Sequence, residues 1–325
     1  MILILGQNAA WQKVCMLHRL ERGDVNRVQE VRAFASSKGP NVARALRALR
    51  GDAKVLGYAG GATGELVRQS LQAEGVSAEL IRIAADTRVC TTFVEESGVS
   101  TEVIEPAPAV TPRERDELRE RFRRLLPSAR LFVIAGSTVA GETPDCYAEL
   151  AREARARAVV TLMDAACPQA IDALAAGPEI VKVNLKELQD ITGTEVASPA
   201  QRVRAWRTLA ERHGIRWFFA TMGAAGMEGF DGRVLLHAEP PAVKVRNPIG
   251  SGDAATAGAG WAVHQMLAES EPREIFSSRA CLQETLEAAA AMGTANCLNP
   301  INGRVEEADY LDIRSRIRVT EVPLP

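Results

Sequence analysis

The chain has 325 residues and a net charge of −2, with a pI near 6.2. This length can bury the core of one large α/β domain or of two smaller ones. The slightly acidic balance argues against a nucleic-acid partner, which usually needs a basic surface. No apolar run reaches membrane-spanning length, and residues 1–5 are too short for a signal-peptide core, so we expect no membrane association.

Cysteine and histidine usage gives no sign of disulfides or of a metal centre. The six cysteines are scattered without a CxxC pair, and the four histidines have no metal-ligand spacing. Scattered cysteines are typical of reduced thiols, which predicts a cytoplasmic protein.

Short β-rich runs recur along the chain, and helical patterns fill many of the gaps. The runs are residues 1–5, 53–58, 79–83, 88–95, 131–135, 159–163, 180–183 and 216–220. Apolar strands that alternate with helices indicate a mostly parallel central sheet with helices on both faces. One helix is predicted to begin at Thr111-Pro112-Arg113-Glu114, which has the residues of a capping box with proline at the first helical position.

Two stretches interrupt this alternation. At about 12–34 and 87–105, polar and apolar residues alternate without a helical pattern, and Glu96-Ser97-Gly98 has the composition of a hairpin turn. We predict that these segments form a small β-sheet lid beside the main sheet. With no linker, repeat or low-complexity segment, residues 1–325 are expected to form a single α/β domain.

Near the C-terminus, a turn of small residues leads directly into a helix that carries a carboxylate in its first turn. The turn is Asn247-Pro248-Ile249-Gly250-Ser251-Gly252-Asp253. Glycines let backbone N–H groups approach an anion, and a helix N-terminus adds unpaired N–H groups and partial positive charge. Such a place can hold phosphate with Asp253 as a nearby base, which suits a kinase acting on an alcohol. A plain turn with an N-cap is the alternative.

Other phosphate-binding and nucleotide-binding classes are excluded by their missing motifs. The chain has no GxxxxGK[ST] motif of a P-loop enzyme and no HRD or DFG motif of a protein kinase. No GxGxxG follows the first strand, which weighs against a dinucleotide-dependent dehydrogenase.

Seven further segments, in order along nearly the whole chain, resemble a known family. They are Gly23-Asp24-Val25-Asn26-Arg27, the run from Ser36 to Leu46, Gly60-Gly61-Ala62-Thr63-Gly64-Glu65, Thr87-Arg88, Asp164, the run from Val181 to Leu188, and Met222-Gly223-Ala224-Ala225-Gly226-Met227. With the Asn247–Asp253 turn, they resemble the PfkB/ribokinase family of carbohydrate kinases, in its 1-phosphofructokinase and tagatose-6-phosphate kinase branch. The resemblance implies a ribokinase-like α/β fold with a β lid over the sugar.

The resemblance also implies roles at the reaction centre. Asp253 would take the proton of the attacking hydroxyl, and the main-chain N–H groups of Gly250, Ser251 and Gly252 would form an anion hole. An aspartate at a helix N-terminus is expected to be a weak base, because the positive potential favours its ionised form. A weak base is compatible with the loose transition state of phosphoryl transfer, because the acceptor hydroxyl loses its proton only late in the reaction.

Nucleotide and metal sites follow from the same resemblance. The implied nucleotide-binding residues are Asn184, Thr221, Gly223, Gly226 and Asn296. Glu187 would hold Mg²⁺ through water, since the carboxylate and amide of an N-x-x-E pair suit Mg²⁺ bound largely by waters and ATP phosphates. The alternatives are helix capping by Asn184 with an exposed Glu187, and a plain β-turn at residues 222–226.

The sugar side departs from the family pattern at two places. Ser36-Ser37 occupies the position of a Gly-Gly pair in family members. Gln12 aligns with an aspartate that, in family members, hydrogen-bonds two sugar hydroxyls. Aspartate accepts two hydroxyl protons, whereas glutamine accepts with its carbonyl and donates with its amide, so the sugar is presented differently or held more weakly. The implied substrate-binding residues are Gln12, Lys38, Gly39, Asn41, Arg88 and Arg27. Lys38 and Arg88 suit a phosphate group, although each basic residue can instead be a surface charge.

These observations predict an ATP-dependent, Mg²⁺-requiring kinase that phosphorylates a hydroxyl of a sugar phosphate. One alternative is a kinase of an unphosphorylated sugar or nucleoside. Another is a sugar-binding or nucleotide-binding regulator without turnover, which Gln12 and Ser36-Ser37 favour and the intact run from Gly250 to Asp253 opposes. The partner is expected to be a small-molecule substrate, and the family's lids often pair into homodimers.

Overall fold

A ten-stranded sheet lies at the centre of the computed structural model, which describes residues 1–324. In spatial order its strands are β14 (Arg318–Val322), β13 (Leu235–Glu239), β12 (Met227–Phe230), β11 (Trp217–Thr221), β10 (Ile180–Asn184), β9 (Val160–Asp164), β8 (Leu131–Ala135), β1 (Ile2–Asn8), β4 (Ala53–Gly60) and β5 (Ala78–Ile83). Neighbouring strands are parallel from β11 to β5, and the β12, β13 and β14 edge is antiparallel. The predicted mostly parallel sheet is confirmed.

Helices cover both faces of this sheet, as predicted. One face carries α1 (Lys38–Leu46), α2 (Gly61–Ala73), α8 (Ser251–Met266), α9 (Pro272–Ser277), α10 (Arg279–Asn296) and α11 (Glu307–Arg316). The other carries α3 (Pro112–Leu125), α4 (Cys146–Ala156), α5 (Pro168–Ala173), α6 (Leu185–Thr192) and α7 (Pro199–His213). Strand side chains alternate between the two cores: Ile2 and Ile4 join the first, and Leu3 and Leu5 the second.

A separate four-stranded sheet forms the lid. Its strands, in spatial order, are β3 (Glu30–Ser36), β2 (Ala10–Leu17), β6 (Val89–Glu95) and β7 (Ser100–Ile104). The predicted lid segments therefore form one sheet, and the predicted hairpin turn is closed by a bond from the Gly98 N–H to Glu95 O of 2.8 Å. Apolar side chains including Val31, Val103 and Ile104 are exposed on the lid, and the homodimer stays a prediction.

Most predicted strands agree with the structure within one to three residues. Helix α3 begins with the predicted capping box, since the Thr111 N–H donates to Glu114 Oε2 at 2.6 Å and the Glu114 N–H donates to Thr111 Oγ1 at 3.4 Å. The antiparallel edge was not predicted, because β12 is only four residues long and shows no clear period. No helix among residues 1–324 has both the length and the hydropathy to cross a membrane.

Small residues bring helix α8 close to its neighbours. A Cβ atom at Gly258 would lie 2.3 Å from Ala288 O of α10, a contact that only glycine avoids. Helix α8 therefore packs closely against α10, and its first turn lies at the carboxyl edge of the sheet with the predicted catalytic residues.

Candidate active site

The predicted catalytic and nucleotide residues gather at the carboxyl ends of the parallel strands. Asn8, Asp164, Asn184 and Thr221 end strands β1, β9, β10 and β11. Helices α1 and α8 begin at the same edge, with Lys38 and Ser251 as their first residues. Ligands of open α/β sheets bind in the crevice outside these strand ends.

Asp253 is a buried carboxylate in the first turn of α8, with 8% of its surface exposed. Asn41 Nδ2 donates to Asp253 Oδ2 at 2.8 Å. The amide of Asn41 is oriented by its own Oδ1, which accepts from Ser36 Oγ at 3.1 Å and from Arg44 Nη1 at 3.0 Å. The structure thus makes Asn41, predicted to bind substrate, a partner of the predicted base.

Burial raises the pKa of Asp253 above its usual value, and the nearby carboxylate of Asp164 acts in the same direction. The cations Lys38 and Lys182 and the Asn41 hydrogen bond oppose this rise without cancelling it. The helix N-terminus predicted a weak base, but burial raises the pKa of Asp253 and so acts in the opposite direction. A raised pKa makes the ionised carboxylate a stronger base.

The predicted anion hole is held in shape by a glycine that no other residue can replace without strain. Gly250 has φ of 85°, and a Cβ there would lie 2.7 Å from Gly303 N. The Ser251 N–H donates to Pro248 O at 3.2 Å and closes the turn. Of the three N–H groups predicted to form the anion hole, that of Ser251 is therefore already used within the turn. The N–H groups of Gly250 and Gly252 remain for an anion.

Asn296, predicted to bind nucleotide, is fully buried beneath this turn. Its Nδ2 donates to Ile249 O and to Ser251 Oγ, both at 3.0 Å, and its Oδ1 accepts from the Gly303 N–H at 2.7 Å. All of these bonds hold the turn in place. The structure therefore gives Asn296 a supporting position and not an open ligand position.

The centre of the site is a buried carboxylate to which the sequence pattern gave no role. Asp164 Oδ1 accepts from Lys38 Nζ at 2.8 Å, and Oδ2 accepts from Lys182 Nζ at 3.1 Å and from Thr256 Oγ1. Asp164 is fully buried, and Lys182 is 2% exposed. Thr256 lies one helical turn after Asp253, so this cluster ties the base's helix to the sheet.

The charges of this cluster stabilise one another. Burial alone raises the pKa of Asp164, but Lys182 and Lys38 together hold it well below its usual range. Burial likewise opposes the charge of Lys38, yet Asp164, Glu187 and Asp253 raise the pKa of Lys38 well above its usual range. Both groups are therefore ionised at neutral pH.

Asn184 and Glu187 form a reciprocal capping box at the start of α6. Asn184 Oδ1 accepts from the Glu187 N–H and Glu187 Oε2 accepts from the Asn184 N–H, each at 2.8 Å. The capping alternative is thus realised, but Glu187 Oε1 still lies 3.6 Å from Lys38 Nζ. Among residues 1–324, no three His, Cys, Asp or Glu side chains lie close enough together to hold a metal ion by themselves. A single carboxylate fits Mg²⁺ held mainly by water and phosphates.

The run 222–226 turns strand β11 into β12 beside Asn184. Asn184 pairs with Thr221 across the sheet, and Gly223 begins a short 3₁₀ turn closed by a bond from the Gly226 N–H to Gly223 O of 3.1 Å, and the Met222 N–H donates to Gly226 O at 2.9 Å across the loop. Gly226 has φ of 93°, and a Cβ there would lie 2.1 Å from Ala238 O. Gly226 is therefore needed by the turn itself, whereas Gly223, with φ of 58°, is favoured by its left-handed backbone alone. A nucleotide-binding role for this turn stays a prediction.

A pocket of about 400 Å³ lies between the lid and the sheet edge. It is lined by Asn8, Ser37, Lys38, Arg88, Ala135, Gly136, Ser137, Ala165, Ala166, Cys167, Glu187 and Asp190. The predicted cations Lys38 and Arg88 do meet here. Arg88 Nη2 donates to Asn8 O at 3.3 Å, and its buried Nε has no acceptor among residues 1–324. Ser137, which accepts from Asn8 Nδ2 at 3.1 Å, was missed because it belongs to no motif.

Four predicted substrate residues do not line this pocket: Asn41, which contacts Asp253 instead, and Gln12, Gly39 and Arg27. Gln12 is buried within the lid, where its Nε2 donates to Thr92 Oγ1 at 2.9 Å and to Lys13 O at 3.2 Å. Gly39 packs α1 against β1, since a Cβ there would lie 2.6 Å from Gly6 Cα. Arg27 lies in the exposed loop between β2 and β3. The structure therefore gives Gly39 a packing position and Arg27 a surface position, as the surface-charge alternative allowed.

A family model described as pfkB family carbohydrate kinase matches residues 9–300. A curated tagatose-6-phosphate kinase from Staphylococcus epidermidis is 26% identical to this chain, with 99% of this chain and 100% of the relative covered. Two crystal structures of phosphofructokinase-2 from Escherichia coli, a complex with fructose-6-phosphate and a tetrameric inhibited form, each superimpose with a TM-score of 0.84. Each is 24% identical to this chain over 97% of it and 98% of that chain.

Replacement of Asp164 by asparagine should destabilise the protein at neutral pH. Asp164→Asn leaves Lys182 buried without a counter-charge, so the free energy of unfolding should fall by about 3–5 kcal/mol. The pKa of Asp164 is lower in the folded chain than in the unfolded one. Its stabilisation is therefore complete above the usual aspartate pKa of about 3.9 and is lost as pH falls through the folded value.

Urea unfolding of the wild type and of Asp164→Asn between pH 7 and pH 3 measures the difference between their free energies of unfolding. This difference should stay constant down to about pH 5 and become smaller below about pH 4. Asp312→Asn is the matched control, because Asp312 pairs with Arg316 at 2.9 Å on the exposed face of α11. That surface pair should contribute about 0.5 kcal/mol or less. Equal losses in the two variants would contradict the central role of Asp164.

Proposed function

The chain belongs to the pfkB family of carbohydrate kinases, and we propose that it transfers a phosphoryl group from ATP to a hydroxyl of a sugar phosphate. One observation carries this proposal. A buried carboxylate, Asp253, lies in the first turn of helix α8 close to Lys38, which lines a pocket together with Arg88. The site thus offers a base and two cations to a single small acceptor.

In this mechanism, Asp253 takes the proton of the acceptor hydroxyl as the oxygen attacks the transferred phosphorus atom. Its raised pKa helps the proton transfer, and the Asn41 amide keeps one carboxylate oxygen in place. The Gly250 and Gly252 N–H groups donate to the transferred phosphoryl group, where negative charge is spread in the transition state. Lys38, fully charged beside Asp164, adds positive potential between the two substrates.

Mg²⁺ fits the donor set only through water and nucleotide oxygens, with Glu187 Oε1 as the protein group on the pocket side. When bound, Mg²⁺ would neutralise charge on the nucleotide phosphates. Glu187 is positioned for this by its capping box, which fixes the direction of its carboxylate. Thr221 and the turn at Gly223 and Gly226 adjoin Asn184 and are proposed to contact the nucleotide.

The phosphate of the acceptor is proposed to bind at Arg88, Lys38 and Ser137. The buried Nε–H of Arg88 has no acceptor among the residues described, so an anion in the pocket would satisfy it. Relatives that are named a tagatose-6-phosphate kinase or that bind fructose-6-phosphate support a ketohexose phosphate as the acceptor. An unphosphorylated sugar or nucleoside is the second candidate, and a non-catalytic regulator is opposed by the preserved base.

An assay of ADP release over a panel of acceptors tests this function. The panel contains tagatose 6-phosphate, fructose 6-phosphate, fructose 1-phosphate and the corresponding unphosphorylated sugars. Asp253→Asn should lower kcat on the best acceptor by about 100-fold or more, because the general base is lost. The melting temperature should be unchanged or higher, since the raised pKa means that folding disfavours the ionised carboxylate. A variant that turns over at the wild-type rate would refute Asp253 as the base.

The phosphate site is tested by Arg88→Ala. A charge-assisted contact that also places the reacting hydroxyl contributes roughly 1.5–3 kcal/mol, so kcat/KM for the sugar phosphate should fall about 10- to 150-fold. The KM for ATP should hardly change, because Arg88 lies on the lid side of the pocket. Arg27→Ala is the matched control, as an exposed lid arginine that does not line the pocket. Equal activity of wild type and Arg88→Ala on every sugar phosphate would favour the unphosphorylated acceptor.

The metal role is tested by Glu187→Gln. Glutamine also completes a capping box, so the start of α6 should be kept while the carboxylate charge is lost. The Mg²⁺ concentration for half-maximal rate should rise about 10-fold. This is the lower end of the loss in metal affinity that follows when a residue outside the direct ligands is replaced. Glu211→Gln, on the exposed face of α7, is the control. An unchanged Mg²⁺ titration would leave Glu187 with its capping role alone.

A further inference from the structure

Ser37 has a backbone conformation that glycine occupies almost alone. Its φ is 102° and its ψ is 170°, which places a serine side chain in a region where the Cβ atom is strained. The resemblance to the family places glycine at this position. The structure thus keeps the glycine conformation although the residue has changed, and strain of this kind is often found where a side chain serves a site.

The two neighbouring serines make different contacts. Ser36 is buried, with its Oγ donating to Asn41 Oδ1 at 3.1 Å and accepting from Asn302 Nδ2 at 3.4 Å, so its hydroxyl is part of the protein's own network. Ser37 is half-buried and lines the pocket beside Lys38, Arg88 and Ser137. Within residues 1–324, the Ser37 hydroxyl forms no hydrogen bond to another protein group. It therefore remains free for a ligand.

The position of Ser37 is imposed by the elements around it. Its carbonyl oxygen accepts from the Asn41 N–H at 3.0 Å, which begins helix α1, and Ser36 on its other side ends strand β3. The chain must turn sharply between the lid strand and the helix. The serine therefore cannot relax without moving Lys38 and Asn41, which serve the pocket and the base.

We propose that Ser37 is a specificity residue whose hydroxyl hydrogen-bonds a hydroxyl group of the acceptor sugar. The proposal rests on the kinase function proposed above and names a contact that glycine at this position cannot make. A serine hydroxyl both donates and accepts, which suits a polyol. A site that hydrogen-bonds a substrate hydroxyl discriminates against acceptors that lack it or present it elsewhere, because a polar partner is then left unpaired.

Two variants separate the hydroxyl from the strain. Ser37→Ala keeps the Cβ atom and removes the hydroxyl, so kcat/KM for the best acceptor of the panel should fall about 3- to 10-fold, the effect of one uncharged hydrogen bond. The ratio of kcat/KM between tagatose 6-phosphate and fructose 6-phosphate should move toward one, while the KM for ATP stays constant. Ser37→Gly should show the same kinetic loss with a melting temperature about 1–3 °C higher, since glycine relieves the strain.

Ala158→Gly is the control for relief of strain alone. Ala158 has φ of 56° and is exposed in the turn before β9, at the opposite end of the strand from the pocket. This variant should not lose stability and should leave kcat/KM unchanged for every acceptor. A kinetic change in the Ser37 variants but not in Ala158→Gly assigns the effect to the pocket.

The outcomes distinguish this inference from the proposed function. Equal kcat/KM of wild type and Ser37→Ala on every acceptor would overturn the role of Ser37 and leave the kinase function intact. Higher kcat/KM in Ser37→Gly would overturn it too, since the serine would then only obstruct the pocket. If the wild type phosphorylates only an unphosphorylated sugar, the sugar-phosphate proposal fails, and the same Ser37 comparison is made on that sugar. If no acceptor is phosphorylated, both proposals are wrong.

Discussion

The ionised carboxylate of Asp164 connects the elements that form the candidate active site. It ends strand β9 and accepts hydrogen bonds from Lys182 of β10, Lys38 of α1 and Thr256 of α8. A buried charge of this kind is tolerated only when cations and donors surround it. The starts of α1 and α8 are therefore held at fixed positions relative to the sheet edge, and the positions of Asp253, Lys38 and the Asn247–Asp253 turn depend on that arrangement.

Close packing of helix α8 and the chemistry of Asp253 have a common origin. Glycine at position 258 lets α8 approach α10, and Asn296 of α10 holds the turn that precedes α8. Asp253 in the first turn of α8 is buried, and burial raises the pKa of its carboxyl group. The burial that accompanies this packing would thus strengthen Asp253 in its proposed role as a base.

Several residues that are proposed to serve the site also form local structural hydrogen bonds. Asn184 and Glu187 cap α6 reciprocally, and this cap leaves one Glu187 oxygen 3.6 Å from Lys38 Nζ. Asn41 both begins α1 through its N–H and donates to Asp253 through its side chain. Capping is therefore compatible with the proposed catalytic roles, because the local bonds set the direction of the same side chains.

The sequence by itself determined the alternation of strands and helices, the two lid segments, the α3 capping box and Asp253 at a glycine-rich helix start. All of these depend on periodicity or on residues within a few positions of one another. Tertiary structure decided the role of Asp164, the place of Ser137, the burial of Asn296 and the rise in the Asp253 pKa. The reason is distance along the chain, since Lys38 and Asp164 are 126 residues apart and Asn41 and Asp253 are 212 residues apart. Pairing and burial of such residues follow from packing alone.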